Sequence, residues 1–310
     1  MTRTVVYKAN AERGREWREI FRRDAPEIEF RLWPDIGSAD AVDYLVVWQP
    51  PPDLATAFPR LKVLFSIAAG VDHFDLSGLP GHVPLVRMIE PGITRTMVDY
   101  ISLATLVLHR NLLDYLGQQR RRMWREIRVR PAGARRVGVM GLGVLGTAVL
   151  DRLGALDFRC AGWSRTPHAI AGVDTYHGSA EFGRFLAAID ILICLLPLTS
   201  QTRGILGART FDMLPRGAAV VNVGRGGHLV EADLLAALDS GQLSAAVVDV
   251  LEQEPAPADH PFWAHPRILM TPHVASMTQP ETAAPRVIEN IRRFERGEPL
   301  LNVVDRARGY

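Results

Sequence analysis

The stretch that most narrows what this chain can fold into is Val137 to Gly146, read Val-Gly-Val-Met-Gly-Leu-Gly-Val-Leu-Gly. An apolar run stops at glycines 141, 143 and 146, and amphipathic residues follow from Thr147 to Leu156. The pattern predicts a strand, a tight turn and the start of a helix. Gly141 permits the turn, Gly143 lets the backbone approach a pyrophosphate with no side chain between, and Gly146 lets the helix pack close to the sheet. Backbone N–H groups at the turn, those of Val144 and Leu145 among the candidate cofactor contacts, and the positive end of the helix dipole then face an anion.

On both sides of this turn, strand-like and helical segments alternate. Before it come Thr4 to Tyr7, Ile28 to Leu32, Tyr44 to Trp48, Leu61 to Ile67 and Pro84 to Arg87 as strands, with a helix over Glu12 to Arg23; Gln49-Pro50-Pro51-Pro52 halts the third strand. After it come Phe158 to Trp163, Ile189 to Leu195, Ala218 to Val223, Ala245 to Val250 and Ile268 to Thr271 as strands, with a helix over Glu231 to Leu238. Alternation with crossovers of this length implies parallel sheets covered on both faces. The 310 residues suffice for two domains with separate cores. The expected architecture is α/β: a doubly wound parallel-sheet Rossmann domain over 99–276 and a smaller α/β domain over 1–98. A final helix, Glu281 to Arg296, ended by Gly297, is expected to pack back on the first domain, which becomes discontinuous over 1–98 and 277–310.

A long helical pattern from Thr94 to about Leu116 is apolar on more than one face, which suits a domain connection or a subunit interface. The arginine-rich stretch from Arg120 to Arg128 that follows reads as a solvated linker with one anchoring residue, Trp124, because nothing else organises a basic face for nucleic acid. The net charge of +2 argues neither for nor against a polyanionic partner. The two cysteines, Cys160 and Cys194, fall inside apolar strands and read as buried thiols in a reducing cytoplasm, neither disulfide nor metal ligands. No leader is expected at Met1, and the apolar run around Ile189 to Leu198 is too short to span a bilayer. No metal site is expected.

The second strand of a Rossmann unit ordinarily ends in an acid that binds the adenosine ribose hydroxyls. Here the strand ends Gly162-Trp163-Ser164-Arg165-Thr166, with no carboxylate. Arg165 can pair with a 2′-phosphate and Ser164 can donate a hydrogen bond to it, so NADP(H) is expected over NAD(H), with NAD still possible.

In an open α/β sheet ligands lie outside the carboxyl ends of the strands. Three segments sit there: Asn222-Val223-Gly224-Arg225-Gly226-Gly227, Asp249-Val250-Leu251-Glu252-Gln253-Glu254-Pro255, and Thr271-Pro272-His273-Val274-Ala275. Arg225 can fork onto a substrate carboxylate, His273 can donate a proton to an alkoxide formed as hydride arrives, and a carboxylate can hold the imidazole. Spacing alone leaves open whether that carboxylate is Glu252 or Glu254.

These motifs in this order, with Trp48-Gln49-Pro50-Pro51, Ala69-Gly70-Val71-Asp72, Glu90-Pro91-Gly92, Trp163-Ser164-Arg165-Thr166 and the terminal Val304-Asp305-Arg306-Ala307-Arg308-Gly309-Tyr310, resemble the D-2-hydroxyacid dehydrogenase family, most closely its glyoxylate/hydroxypyruvate reductase A type. The resemblance runs nearly end to end. It implies a flavodoxin-like fold for the smaller domain and NADPH-dependent reduction of small 2-oxo acids to 2-hydroxy acids. It further implies Arg225 as carboxylate and carbonyl binder, Glu254 as partner of the imidazole and His273 as general acid/base. Backbone groups at Ala69, Gly70 and Val71 would hold the substrate carboxylate and Trp48 would line the pocket. Leu196, Pro197, Thr202, Val223 and Ala275 would border the cofactor, with Asp249 toward the nicotinamide carboxamide. A homodimer built around the cofactor domains is implied as well. The chain departs from the family pattern at Gly224, where Ala is usual, and at Ala68, where Gly is usual. Alternatives are a relative acting on larger 2-oxo acids, for which Trp48 and Met88 are candidate pocket walls or plain core, and a dinucleotide-sensing co-repressor-like protein.

Overall fold

Apolar runs near the N-terminus form the strands of the first sheet, whose central members are buried on both faces. In the computed structural model, which describes residues 3–51 and 53–308, these are β1 (Arg3–Lys8), followed by α1 (Ala11–Asp24), β2 (Ile28–Leu32), β3 (Tyr44–Val47), the short α2 (Leu54–Ala57), β4 (Val63–Ser66) and β5 (Leu85–Val86). Met1, Pro52, Gly309 and Tyr310, named above, lie outside the described residues, as does Thr2. The five strands pair in parallel in the order β2-β1-β3-β4-β5, the flavodoxin-like order. The Asn10 side chain accepts from the Arg13 amide to cap α1, which buries Trp17, Ile20 and Phe21.

The chain divides into two compact units, Met1–Ile93 with Met277–Tyr310, and Thr94–Ser276. The sequence placed the first boundary at 98/99; the helix that crosses it, α3 (Pro91–His109), has no composition break to mark the change. The buried Glu90 carboxylate accepts from the amides of Gly92 and Ile93 at the start of this helix.

In the second unit the single helix expected from Thr94 to Leu116 is two. α3 stops at His109, Asn111 takes a left-handed conformation at φ 53°, and α4 (Leu112–Arg120) follows. Asparagine tolerates that conformation, and it ends the i→i−4 ladder. The chain continues through β6 (Arg136–Met140), α5 (Val144–Gly154), β7 (Arg159–Ser164), β8 (Asp174–His177), α6 (Gly178–Leu186), β9 (Ile191–Cys194), α7 (Ala208–Met213), β10 (Ala218–Asn222), α8 (Glu231–Asp239), β11 (Leu243–Val248) and β12 (Ile268–Met270). All seven strands are parallel, in the order β12-β11-β10-β9-β6-β7-β8. The order reverses between β6 and β9, which is the switch point of a doubly wound sheet. β8 was not among the expected strands because this polar edge strand lacks apolar alternation. Alternate residues of the central strands feed different cores: Leu192, Val220 and Val248 join one cluster, and Ile191, Ile193, Val221 and Val247 join the other.

In the first unit, α9 (Pro280–Glu295) packs on α1, and its Arg292 donates to the Asp24 carbonyl and pairs with Glu27. Near its end Glu295 accepts from Tyr44, Lys62 and Arg3. Beyond Gly297, at φ 69°, the Arg306 guanidinium donates to the carbonyls of Leu79, Pro80 and Val83. Among the described residues no helix is long and apolar enough to cross a membrane, and no cluster of three metal-ligating side chains occurs. Both cysteines are buried and free, and burial pushes their thiols up, Cys160 to about 11 and Cys194 to about 12.

Candidate active site

The glycine turn after β6 has the shape of an anion cradle. Gly141 sits at φ 103°, and a Cβ there would lie 2.8 Å from the Leu195 carbonyl oxygen. A Cβ on Gly146 would fall 1.8 Å from the Gly141 carbonyl oxygen. Gly146 therefore closes the turn on itself, a tighter requirement than the helix–sheet packing expected of it. A Cβ on Gly143 would meet no protein atom within 4 Å; it would instead fill the space over the turn. α5 starts at Val144 with Gly143 as its N-cap, three residues earlier than the apolar pattern suggested, so the N–H groups of its first turn face that space. The residues present thus fit a bound pyrophosphate.

Ser164 ends β7 and Arg165 follows it, but they are placed differently. Ser164 is buried, donates to the Thr166 carbonyl at 2.7 Å and lies 3.0 Å from His168 Nδ1. The hydroxyl is held by its own loop, and donating to a phosphate would exchange the Thr166 carbonyl for that anion. Arg165 is exposed. After β9, Leu196 is buried, and the Thr202 hydroxyl donates to the Pro197 carbonyl at 2.7 Å while accepting from the Thr199 amide at 2.8 Å. Thr202 thereby staples the loop that leaves the switch point.

The next three strand ends are neighbours in the sheet, with Asn222 of β10 opposite Val248 of β11 and Val248 opposite Met270 of β12. Past β10, Arg225 is extended and half-buried between two buried glycines, and its Nη1 donates to the Gly224 carbonyl at 2.9 Å. The buried Val223 precedes them. A Cβ on Gly226 would sit 1.9 Å from the Leu251 carbonyl carbon, so the Arg225 loop lies directly against the segment that follows β11. In that segment Glu254 turns back: one carboxylate oxygen accepts from the Leu251 amide at 3.0 Å and the other lies 2.7 Å from His273 Nδ1. Glu252 pairs instead with Arg203 at 2.9 Å, so the alternative that spacing left open is resolved by geometry.

His273 is held in a left-handed conformation at φ 54°, which costs on the order of 1–3 kcal/mol in a non-glycine residue. Asp249 offsets that cost. It is 2 % exposed, and its carboxylate accepts from Thr271 Oγ1 and from the amides of Val274 and Ala275 at 2.6, 2.8 and 2.9 Å. Its carbonyl accepts from the His273 amide at 2.8 Å. Tyr100 of α3 bonds to the Thr271 hydroxyl behind it. Asp249 is thus a scaffold for the histidine turn. Sequence reading gave no role to Thr271, Tyr100, Asn222 or His228; the last two grip Arg225 through its backbone, and a buried polar residue three positions from the arginine was the signal available.

In the first unit, Val71 is buried, and Ala69 and Gly70 are half-buried in the loop after β4. That loop is strapped by the Met88 amide donating to the Ala68 carbonyl at 2.9 Å and by Thr278 donating to the Ile67 carbonyl. Trp48 is 38 % exposed and stacks on His73 with ring centroids 4.1 Å apart, whereas Met88 is 3 % exposed and therefore packs in the core.

Residues 103–275 match the family described as D-isomer specific 2-hydroxyacid dehydrogenase, NAD binding domain. Glyoxylate/hydroxypyruvate reductase A of Salmonella newport is 40 % identical over 301 residues, covering 95 % of this chain and 96 % of that one. A D-isomer specific 2-hydroxyacid dehydrogenase from Xanthobacter autotrophicus Py2, solved with NADPH and MES, superposes at a TM-score of 0.94 with 39 % identity over 100 % of both chains. The NADPH-dependent glyoxylate/hydroxypyruvate reductase from Sinorhizobium meliloti, solved with NADP and sulfate, superposes at 0.92 with 38 % identity, again over 100 % of both. With sequence and fold matched end to end, this chain belongs to the D-isomer specific 2-hydroxyacid dehydrogenase family.

Proposed function

We propose that this chain reduces small 2-oxo acids, glyoxylate and hydroxypyruvate, to 2-hydroxy acids with NADPH. The observation that carries the reading is the His273–Glu254 pair at 2.7 Å, on the same sheet edge as the Arg225 loop and the glycine cradle. When bound, NADPH supplies the hydride to the 2-oxo carbon. Glu254 takes the Nδ1 side of the imidazole, which leaves Nε2 of protonated His273 to give its proton to the new alkoxide oxygen. Arg225 forks onto the substrate carboxylate and draws charge toward the adjacent carbonyl. The family resemblance assigns the backbone at Ala69, Gly70 and Val71 to a substrate carboxylate and Trp48 to the pocket wall. Gly141, Gly143, Val144, Leu145 and Gly146 take the pyrophosphate and the exposed Arg165 the 2′-phosphate. Leu196, Pro197, Thr202, Val223, Asp249 and Ala275 border the cofactor.

The test is turnover of a 2-oxo acid panel, followed by loss of NADPH absorbance. His273→Ala should lower kcat by about a hundredfold or more while NADPH affinity stays within about twofold. Loss of NADPH binding in that variant would overturn the assignment, and a wild-type protein that binds NADPH but turns over no 2-oxo acid would point to a sensor.

The reading includes a homodimer. Leu103, Leu106, Leu112 and Leu116 are exposed along one segment of the second unit, and Trp124, expected to anchor the arginine-rich stretch, is fully exposed instead, which supports an interface there. The buried free thiols suit a cytoplasmic protein.

A further inference from the structure

His228 is completely buried three residues beyond Arg225, and its ring is not there for volume alone. Its Nδ1 accepts from the Arg225 amide at 3.0 Å, while its own amide donates to the Arg225 carbonyl at 3.1 Å. A backbone N–H can only donate, so Nδ1 carries no proton and the imidazole is the neutral Nε2–H tautomer. The Asn222 side chain adds a second donor to the Arg225 carbonyl at 3.0 Å. The Arg225 peptide is therefore gripped at both ends. The grip is itself anchored, because the His228 carbonyl accepts from the Leu206 amide at 2.8 Å. The ring lies flat enough against the main chain that a Cβ on Gly224 would fall 2.8 Å from Nδ1.

We infer that His228 is a positioning residue for Arg225. Its neutral imidazole fixes the peptide from which the guanidinium projects, and so sets where a substrate carboxylate is received. A leucine would fill much of the same space, but it would leave the Arg225 amide without its acceptor. This inference rests on the reading of Arg225 as the carboxylate binder. Substrate affinity should then depend on an acceptor at this position and cofactor affinity should not, since the cradle is built from Gly141 to Gly146.

The experiment compares wild type, His228→Leu, His228→Asn and Arg225→Lys, as full chains with glyoxylate and NADPH as probes. It measures kcat, KM, NADPH affinity and hydrogen exchange at the Arg225 amide. An unsatisfied buried amide predicts a rise in KM of about tenfold or more for His228→Leu, with faster exchange and NADPH affinity within about twofold. His228→Asn, which restores an acceptor oxygen, should return KM and exchange to within about threefold of wild type. Wild-type KM and a protected amide in His228→Leu would overturn the inference. So would a parallel loss of NADPH affinity and stability that asparagine does not rescue. If the leucine variant fails to fold, a tenfold rise in KM for His228→Asn overturns it, and a retained KM with a protected amide supports it. If Arg225→Lys leaves KM unchanged, the substrate reading of Arg225 has failed, and amide exchange alone decides whether His228 holds that peptide.

Discussion

Gly226→Ala should damage activity far more than the addition of one methyl group suggests. The new Cβ would stand 1.9 Å from the Leu251 carbonyl carbon, 2.0 Å from its oxygen and 2.2 Å from the Glu252 nitrogen, all of them backbone atoms that cannot rotate away. Non-bonded carbon contacts lie at about 3.5 Å, so the loops after β10 and β11 must part by about 1.5 Å. Overpacking of this kind costs about 1–3 kcal/mol, a fall of about 3–10 °C in Tm. The displacement also bears on the chemistry, because Leu251 donates the hydrogen bond that holds Glu254 beside His273, while Arg225 rides on the opposite loop. A shift near 1 Å between reacting groups lowers turnover by about a hundredfold. Steady-state reduction of glyoxylate, thermal unfolding and NADPH binding measured on one preparation separate these effects. A Gly226→Ala protein with wild-type Tm and kcat/KM would refute the reasoning.

Arg165→Asp should weaken NADPH by about tenfold or more and leave NADH within about threefold, measured as the two dissociation constants; equal losses would remove the 2′-phosphate role. Glu295 contributes to acid stability in the first unit. Burial alone would raise its pKa, but hydrogen bonds from Tyr44, Lys62 and Arg3 outweigh that and hold it at about 2 against an ordinary 4.5. At 1.36 kcal/mol per pH unit this contributes up to about 3 kcal/mol, present above about pH 5 and lost as the pH falls through 4.5 toward 2. Glu295→Gln should therefore be less stable than wild type in urea near pH 7, with the gap narrowing near pH 3; an equal gap at both would contradict it. On the proposed homodimer, wild type should sediment as a dimer and Leu116→Glu, in the exposed apolar segment, as a monomer in analytical ultracentrifugation; a wild-type monomer would remove the dimer, and an unchanged variant mass would argue for another interface.

The local signals in the chain were strong where a residue type has one backbone use. Gly141 at positive φ and the bare space over Gly143 follow from glycine itself, and the unbroken apolar runs of β6, β9 and β10 could only be strands buried on both faces. The break at Asn111 was legible in principle, yet the helical periodicity on either side masked it. The polar edge strand β8 had no period to read.

Which carboxylate meets the imidazole could not be decided by spacing, since Glu252 and Glu254 are two residues apart in an irregular segment; it took the turn at Leu251 to send one to Arg203 and the other to His273. The same holds for Asp249 and His228, whose polar atoms could have faced a ligand or the chain itself. Sequence set the order of the strand ends and the residue types placed on them, because hydrophobic period and glycine geometry are local. Only the packed sheet decided which polar atoms face inward and are consumed by backbone, because hydrogen-bond partners far apart along the chain are chosen by contact.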